Sequence, residues 1–105
     1  MVYLRVSTQS EAKALQIAQL LLEEKLAIDL NMTRIDKRFE MVNGQLTSSV
    51  RHLITGKTKA LLFPQINNRL NEVFGNDNMP ELYALPIIYM DWEQSQALVS
   101  AVKSV

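Results

Sequence analysis

The chain has 105 residues, 48% hydrophobic and 21% charged, which suits one globular domain with one core and argues against a disordered segment. Lysine plus arginine number 11 and aspartate plus glutamate number 11, so the formal net charge is zero and no overall attraction favours nucleic acid or an anionic membrane. There is no cysteine, which removes disulfides, thiolate metal ligands and a cysteine nucleophile.

The opening MVYLRVSTQSEAK has no basic segment followed by an apolar run and a cleavage site. The longest apolar runs, 60–63 and 84–88, are too short to span a bilayer. A cytoplasmic location without membrane or nucleic-acid partners is therefore expected. Val2, Leu4 and Val6 alternate with Tyr3 and Arg5, which predicts a strand from the first residues. Thr8 and Glu11 stand at capping-box spacing, so a helix is expected from near Gln9. Its inner face carries Ala14, Leu15, Ile17, Ala18, Leu21 and Leu22, and its outer face Lys13, Gln16, Gln19, Glu23 and Glu24. Leu20 falls among the polar positions, where a partner subunit would cover it.

Ile28, Leu30 and Met32 alternate with Asp29, Asn31 and Thr33 in a second predicted strand, which continues less cleanly through Ile35, Phe39 and Met41. Asn43-Gly44 signals a tight hairpin, because both turn positions need positive φ. The chain returns through Leu46, Val50, His52 and Ile54 to Lys57. The polar stretch 37–49 is expected to project beyond the sheet as an arm. An isolated arm of this kind is marginal in water and makes sense against another subunit. A second helix is predicted over 59–74, with Pro64 in its first turns and Gly75 closing it. Residues 82–90 read as the fourth strand, with Pro86 at an edge or bulge. Asp91 and Gln94 have capping spacing, and a short helix is predicted from Trp92 to about residue 103. The whole is an α+β, ferredoxin-like βαββαβ sandwich over residues 1–105, with a four-stranded antiparallel sheet, a long β2-β3 hairpin arm and a C-terminal helix.

Several segments resemble the CutA divalent-cation tolerance proteins. They are Met1-Val2-Tyr3, the helix end Leu22-Glu23-Glu24-Lys25-Leu26-Ala27, Phe39, Met41 and Gly44 in the arm, and Lys57-Thr58-Lys59 followed by Leu62-Phe63-Pro64. Pro80-Glu81, Ala84-Leu85-Pro86-Ile87 and Trp92 complete the series, in the same order over nearly the whole chain. The resemblance implies a tight homotrimer, an architecture like that of the PII signalling proteins, and roles in metal tolerance and small-ligand signalling with no established reaction. A divalent metal ion is the one cofactor it brings into view. The sequence departs from the family where metal chemistry would lie. The family's cysteine near the second strand is missing from Ala27-Ile28-Asp29-Leu30-Asn31. Its His-Pro-Tyr is replaced by Gly75-Asn76-Asp77, and its arm tryptophan by Met41.

Lys57, Glu81 and Trp92 are the ligand-site candidates, because the family's motifs place matching residues near a cleft between subunits. A lysine at a strand end binds an anion, Glu81 pairs with it or accepts from a ligand, and Trp92 walls the pocket. The competing reading is an ion pair and a packed indole that stabilise the trimer. Asp77 and Glu81, beside Asn76 and Asn78, offer hard oxygen ligands for Ca²⁺ or Mg²⁺, but the spacing of a calcium loop is absent and a solvated turn is favoured. His52 is the only histidine; without thiolate partners it reads as a structural residue rather than a zinc or copper ligand. The five methionines are scattered and read as packing. Asp29 is expected to face Arg5 or another cation across the sheet.

The expected function is a trimeric, non-enzymatic CutA-type binding protein with a small ligand or ion held between subunits. The alternative is a PII-like module that senses a nucleotide or amino acid and has no metal role. An acylphosphatase-like reaction is disfavoured, since the loop Ser7-Thr8-Gln9-Ser10 has neither glycine nor arginine for a phosphate. RNA binding is disfavoured because the third strand offers Val50, His52 and Ile54 rather than exposed aromatics.

Overall fold

The computed structural model describes residues 1–105. Its sheet is built on β1 (Val2–Thr8), which pairs antiparallel with β3 (Gln45–Thr58) on one side and β4 (Glu81–Pro86) on the other. The remaining strand, β2 (Ile28–Val42), pairs with β3, so the order is β2-β3-β1-β4. Side chains alternate between faces. Leu4 and Val6 of β1 and Ile54 of β3 are fully buried under the helices. Tyr3, Arg5 and Ser7 point the other way, in register with Lys57, Thr55 and Leu53.

Helix α1 (Glu11–Glu23) starts later than the capping-box spacing suggested. Ser10 is the cap, its hydroxyl accepting from the Lys13 amide at 3.2 Å. Thr8 stays in β1, buried opposite His52, because the strand's ladder claims its backbone first. Leu20 packs against the chain's own core, while Leu15 and Leu22 are left exposed at the margins of the inner face. The apolar stripe is thus rotated from the one expected, and Leu20 needs no partner subunit to cover it.

Helix α2 (Phe63–Phe74) is preceded by a 3₁₀ turn over Ala60–Leu62, and Pro64 lies in its first turn, where a missing N–H is harmless. Gly75 ends it with φ +76°. Helix α3 (Trp92–Ala101) is capped by Asp91, which accepts from the Gln94 amide at 3.1 Å. Leu62, Ile66, Leu70 and Leu98 join Leu4, Ile17, Leu21 and Ile54 in one continuous core. Thr58 lies fully inside it, its hydroxyl donating to the Leu26 carbonyl at 2.6 Å. Strand β4 stops at Pro86 rather than residue 90. Its only partner, β1, begins at Val2, and the last bond between them runs from the Ile87 amide to the Met1 carbonyl at 3.0 Å.

Two bulges interrupt the pairing of β2 with β3, between Ile28 and Asn31 and between Ile35 and Arg38. The first holds Asp29 at φ +54°. Nearby, a Cβ on Gly56 would collide with the Leu30 side chain and lie 3.1 Å from the Ile28 carbonyl, so the two strands approach closely only because position 56 is bare. Beyond the second bulge the pair runs out as the expected arm. It turns at Asn43 (φ 51°) and Gly44 (φ 77°), which fits a primed hairpin turn. The arm stretches the molecule to 49 × 29 × 20 Å with a radius of gyration of 14.9 Å. A compact chain of this length would have a radius of about 13 Å.

Candidate functional site

The helices cover one face of the sheet. The other face carries a line of charged side chains where β1, β3 and β4 meet. Arg51 on β3 is their hub. Its side chain is only 9% exposed. Nε donates to the Ser7 hydroxyl at 2.9 Å, and Nη2 to the Ser7 carbonyl at 2.9 Å and to Glu81 at 3.2 Å. Glu81 opens β4 opposite Ser7. Arg38 reaches the same carboxylate from the edge strand β2, just past the second bulge, and forks onto both oxygens, with Nη2 at 2.7 Å from Oε1. A bulge bends and twists its strand, which swings the arm's base over the two central strands. Arg5 donates from Nε to the Tyr83 hydroxyl at 2.7 Å beside this group.

Hydrogen bonding from Arg38 holds the Glu81 carboxyl below the ordinary carboxylate range; partial burial opposes this, and the charges of Arg38 and Arg51 add to it. Because the folded value lies below the unfolded one, the stabilisation is complete above the ordinary carboxylate range. It is lost only as the pH falls through the lowered folded value. Wild type and Glu81→Gln should therefore differ by a constant stability between pH 5 and 8 and converge only below roughly pH 4, as read by urea unfolding across pH. Convergence already near pH 6 would show that Glu81 is not held ionised by these arginines.

Two cavities flank this cluster and share Ser7, Arg51 and Glu81. One, of about 420 Å³, lies between the β1–α1 connection and the loop before β4, and includes Lys13, Asp77 and Asn78. There Lys13 donates to the Asn78 carbonyl and lies 4.7 Å from the centre of the Phe74 ring. The other, of about 330 Å³, opens on the uncovered sheet face among Arg5, Lys37, Arg38 and Tyr83.

The residues singled out from sequence do not all meet within one chain. Glu81 lines both cavities and Asp77 the larger. Lys57 lies at the far end of β3, opposite Tyr3, and pairs with Asp29 at 3.5 Å rather than with Glu81. Four rows of strand separate it from the Ser7–Glu81 row, about 13 Å at the usual rise. Trp92 begins α3 with 74% of its surface exposed, lining no cavity. His52 is buried on the helix side of β3. No three of His, Asp and Glu come together as a metal-binding group.

Arg38, Arg51 and Tyr83 were not singled out from sequence, and Arg5, considered there only as a cation for Asp29, bonds to Tyr83 instead. Alternation in β3 puts Arg51, Leu53, Thr55 and Lys57 on one face, and that face is the uncovered one. The residues weighed for RNA binding, His52 and Ile54, point into the core instead. Arg38 carried no signal, since its reach depends on a bulge.

The fold thus defines a class, a ferredoxin-like sandwich with a protruding hairpin and a polar cluster on its open sheet face. The chain belongs to the family described as CutA1 divalent ion tolerance protein, which it matches over residues 2–96. Its structure is similar to that of the divalent cation tolerance protein (Cut A1) from Thermus thermophilus, with 26% identity, a TM-score of 0.83, and coverage of 98% of this chain and 100% of that one. It is also similar to the periplasmic divalent cation tolerance protein CutA from Archaeoglobus fulgidus, with 24% identity, a TM-score of 0.83 and coverage of 98% and 100%. CutA1 from Pyrococcus horikoshii shares the fold at 16% identity, with a TM-score of 0.84 and coverage of 99% and 100%. No curated protein matches the chain. No helix is long and apolar enough to cross a membrane.

Proposed function

We propose that the chain acts as a homotrimer that binds a small ligand or ion between subunits and catalyses no reaction, in a role tied to divalent metal ions. The observation that carries this reading is the arm. Phe39, Met41 and Leu46 are 61%, 66% and 67% exposed on a two-stranded ribbon that leaves the body of the protein. Apolar surface of that kind on a ribbon unstable by itself calls for a second chain to cover it. The exposed Ile88, Tyr89 and Trp92 after β4, and the unpaired outer edges of β2 and β4, support the same conclusion. In such an assembly Lys57, Glu81 and Trp92, too far apart in one chain, would meet across subunits. Asp77 and Glu81 would supply the oxygen ligands for a hard divalent ion, with His52 too deeply buried to join them. A cysteine-free chain fits the reducing cytoplasm.

Light scattering on the purified protein at micromolar concentration tests this. The expected mass is three times 12.0 kDa, about 36 kDa, unchanged by a chelator. A monomer of 12.0 kDa under those conditions would remove the basis of the proposal. A second reading, a PII-like sensor without a metal role, is favoured by one observation: cations outnumber acids around Glu81.

A further inference from the structure

We infer that the Lys13 ammonium is a resident cation that holds the place of a divalent ion in the larger cavity, so that Mg²⁺ or Ca²⁺ binds there only by displacing it. This rests on the metal-linked reading above and adds the regulation of that site. It concerns the space between the β1–α1 connection and the loop before β4, not the open sheet face.

That cavity, of about 420 Å³, is lined by two cations, Lys13 and Arg51, and two acids, Asp77 and Glu81. Arg51 bonds to Glu81 at 3.2 Å, and Arg38 takes both oxygens of the same carboxylate. Asp77 and Lys13 enter none of the chain's ion pairs. One unpaired acid and one unpaired ammonium therefore share the cavity. Lys13 is nevertheless held in place. Its amide donates to the Ser10 hydroxyl at 3.2 Å in the first turn of α1. Its half-buried side chain crosses to the 3₁₀ turn Asn76–Asn78, where Nζ donates to the Asn78 carbonyl. The Phe74 ring centre is 4.7 Å from Nζ, inside the reach of about 6 Å at which an aromatic face attracts a cation. Ordering a lysine costs rotamer entropy, and the carbonyl and the ring offset that cost.

The same place suits a hard divalent ion. Ca²⁺ and Mg²⁺ take carboxylate and carbonyl oxygens together with water. Asp77 supplies a free carboxylate, and the adjacent Asn78 supplies the carbonyl that Lys13 now occupies. An ammonium and a divalent ion on one oxygen repel each other, so the two exclude one another. The lysine stem is flexible and lets the ammonium swing out into water. Apparent affinity falls by the fraction of molecules in which the place is open. If Lys13 fills it about nine-tenths of the time, binding weakens about tenfold. The site then stays unloaded at low ion concentration and fills only when the ion is in excess, as a threshold sensor would.

Calorimetric titration of the chelator-treated full chain with magnesium chloride and with calcium chloride tests this, at ionic strength fixed with potassium chloride. Lys13→Met removes the charge and adds only a thioether, a poor ligand for hard ions. It should bind at least one of the two ions about tenfold more tightly than wild type. Lys13→Arg keeps the charge and should show no gain. Adding Asp77→Asn to Lys13→Met should abolish the gain, which locates the ion. Lys13→Ala replaces the methionine variant if that one misfolds. Equal affinity in wild type and Lys13→Met, no divalent binding by either, or a gain that survives Asp77→Asn overturns the inference. Light scattering on the same samples keeps the two ideas separate. A monomer whose Lys13→Met variant gains affinity sinks the trimer alone, and a trimer whose variant gains nothing sinks the resident cation alone.

Discussion

Replacing Arg51 with methionine is expected to lower the unfolding free energy by about 2–4 kcal/mol. The side chain is 9% exposed and ties three strands together, with β3 carrying it, β1 receiving two bonds through Ser7, and β4 receiving one through Glu81. Methionine keeps most of the volume, so the loss comes from polar groups left without a partner rather than from a cavity. The Ser7 carbonyl and hydroxyl both lose their donor in a part-buried setting. Glu81 keeps Arg38 and does not become an isolated charge, which keeps the effect out of the upper part of the roughly 3–5 kcal/mol typical of stranding a buried ion. Urea unfolding at fixed protein concentration measures the change, and an unchanged slope would show that the denatured state is unaffected. A loss under about 0.5 kcal/mol, the range of ordinary surface changes, would mean that the cluster is surface decoration.

A comparison of Arg51→Met with Ser7→Ala separates the hub from its bonds. The alanine variant removes one hydroxyl acceptor and leaves the carbonyl bond in place, so its effect should be near 1 kcal/mol. The larger part of the arginine's contribution would then lie in the bonds to the Ser7 backbone and to Glu81.

The elements that sequence reveals well are those fixed by neighbouring residues. Asp91 capping α3, Pro64 in the first turn of α2 and the Asn43-Gly44 turn all depend on residues within four positions of each other, and all stand as expected. The errors arise where a distant partner decides. Thr8 had the right spacing to cap α1, but pairing with His52 kept it in the strand and passed the cap to Ser10. Residues beyond 86 had an apolar, strand-like pattern, but β1 has no residues left to pair with them. Asp29 found a cation as expected, and the bulge decided that it would be Lys57. The polar cluster was hidden for the same reason. Arg38 and Glu81 are 43 positions apart on opposite edge strands, and only the bend in β2 brings them together.

The same bend aims the arm, and the arm supplies the most sensitive test of assembly. Met41 and Leu46 face each other across its two strands. The double change Met41→Asp with Leu46→Lys replaces an apolar pair by opposite charges, which are themselves compatible with cross-strand pairing. In a solitary chain both sites are about two-thirds exposed, so the double variant should change stability by no more than about 0.5 kcal/mol. In a trimer the same side chains would be covered by a neighbour, and charges forced into that contact would be desolvated. The expected result is a fall in mass from about 36 kDa, three times 12.0 kDa, to 12.0 kDa at micromolar concentration, with circular dichroism showing the sheet and helices retained. Unfolding of the wild type should depend on protein concentration, and that dependence should vanish in the variant, because dissociation no longer accompanies unfolding. A variant that keeps the full mass would show that the arm does not join the chains, and the case for a ligand held between them would lose its foundation.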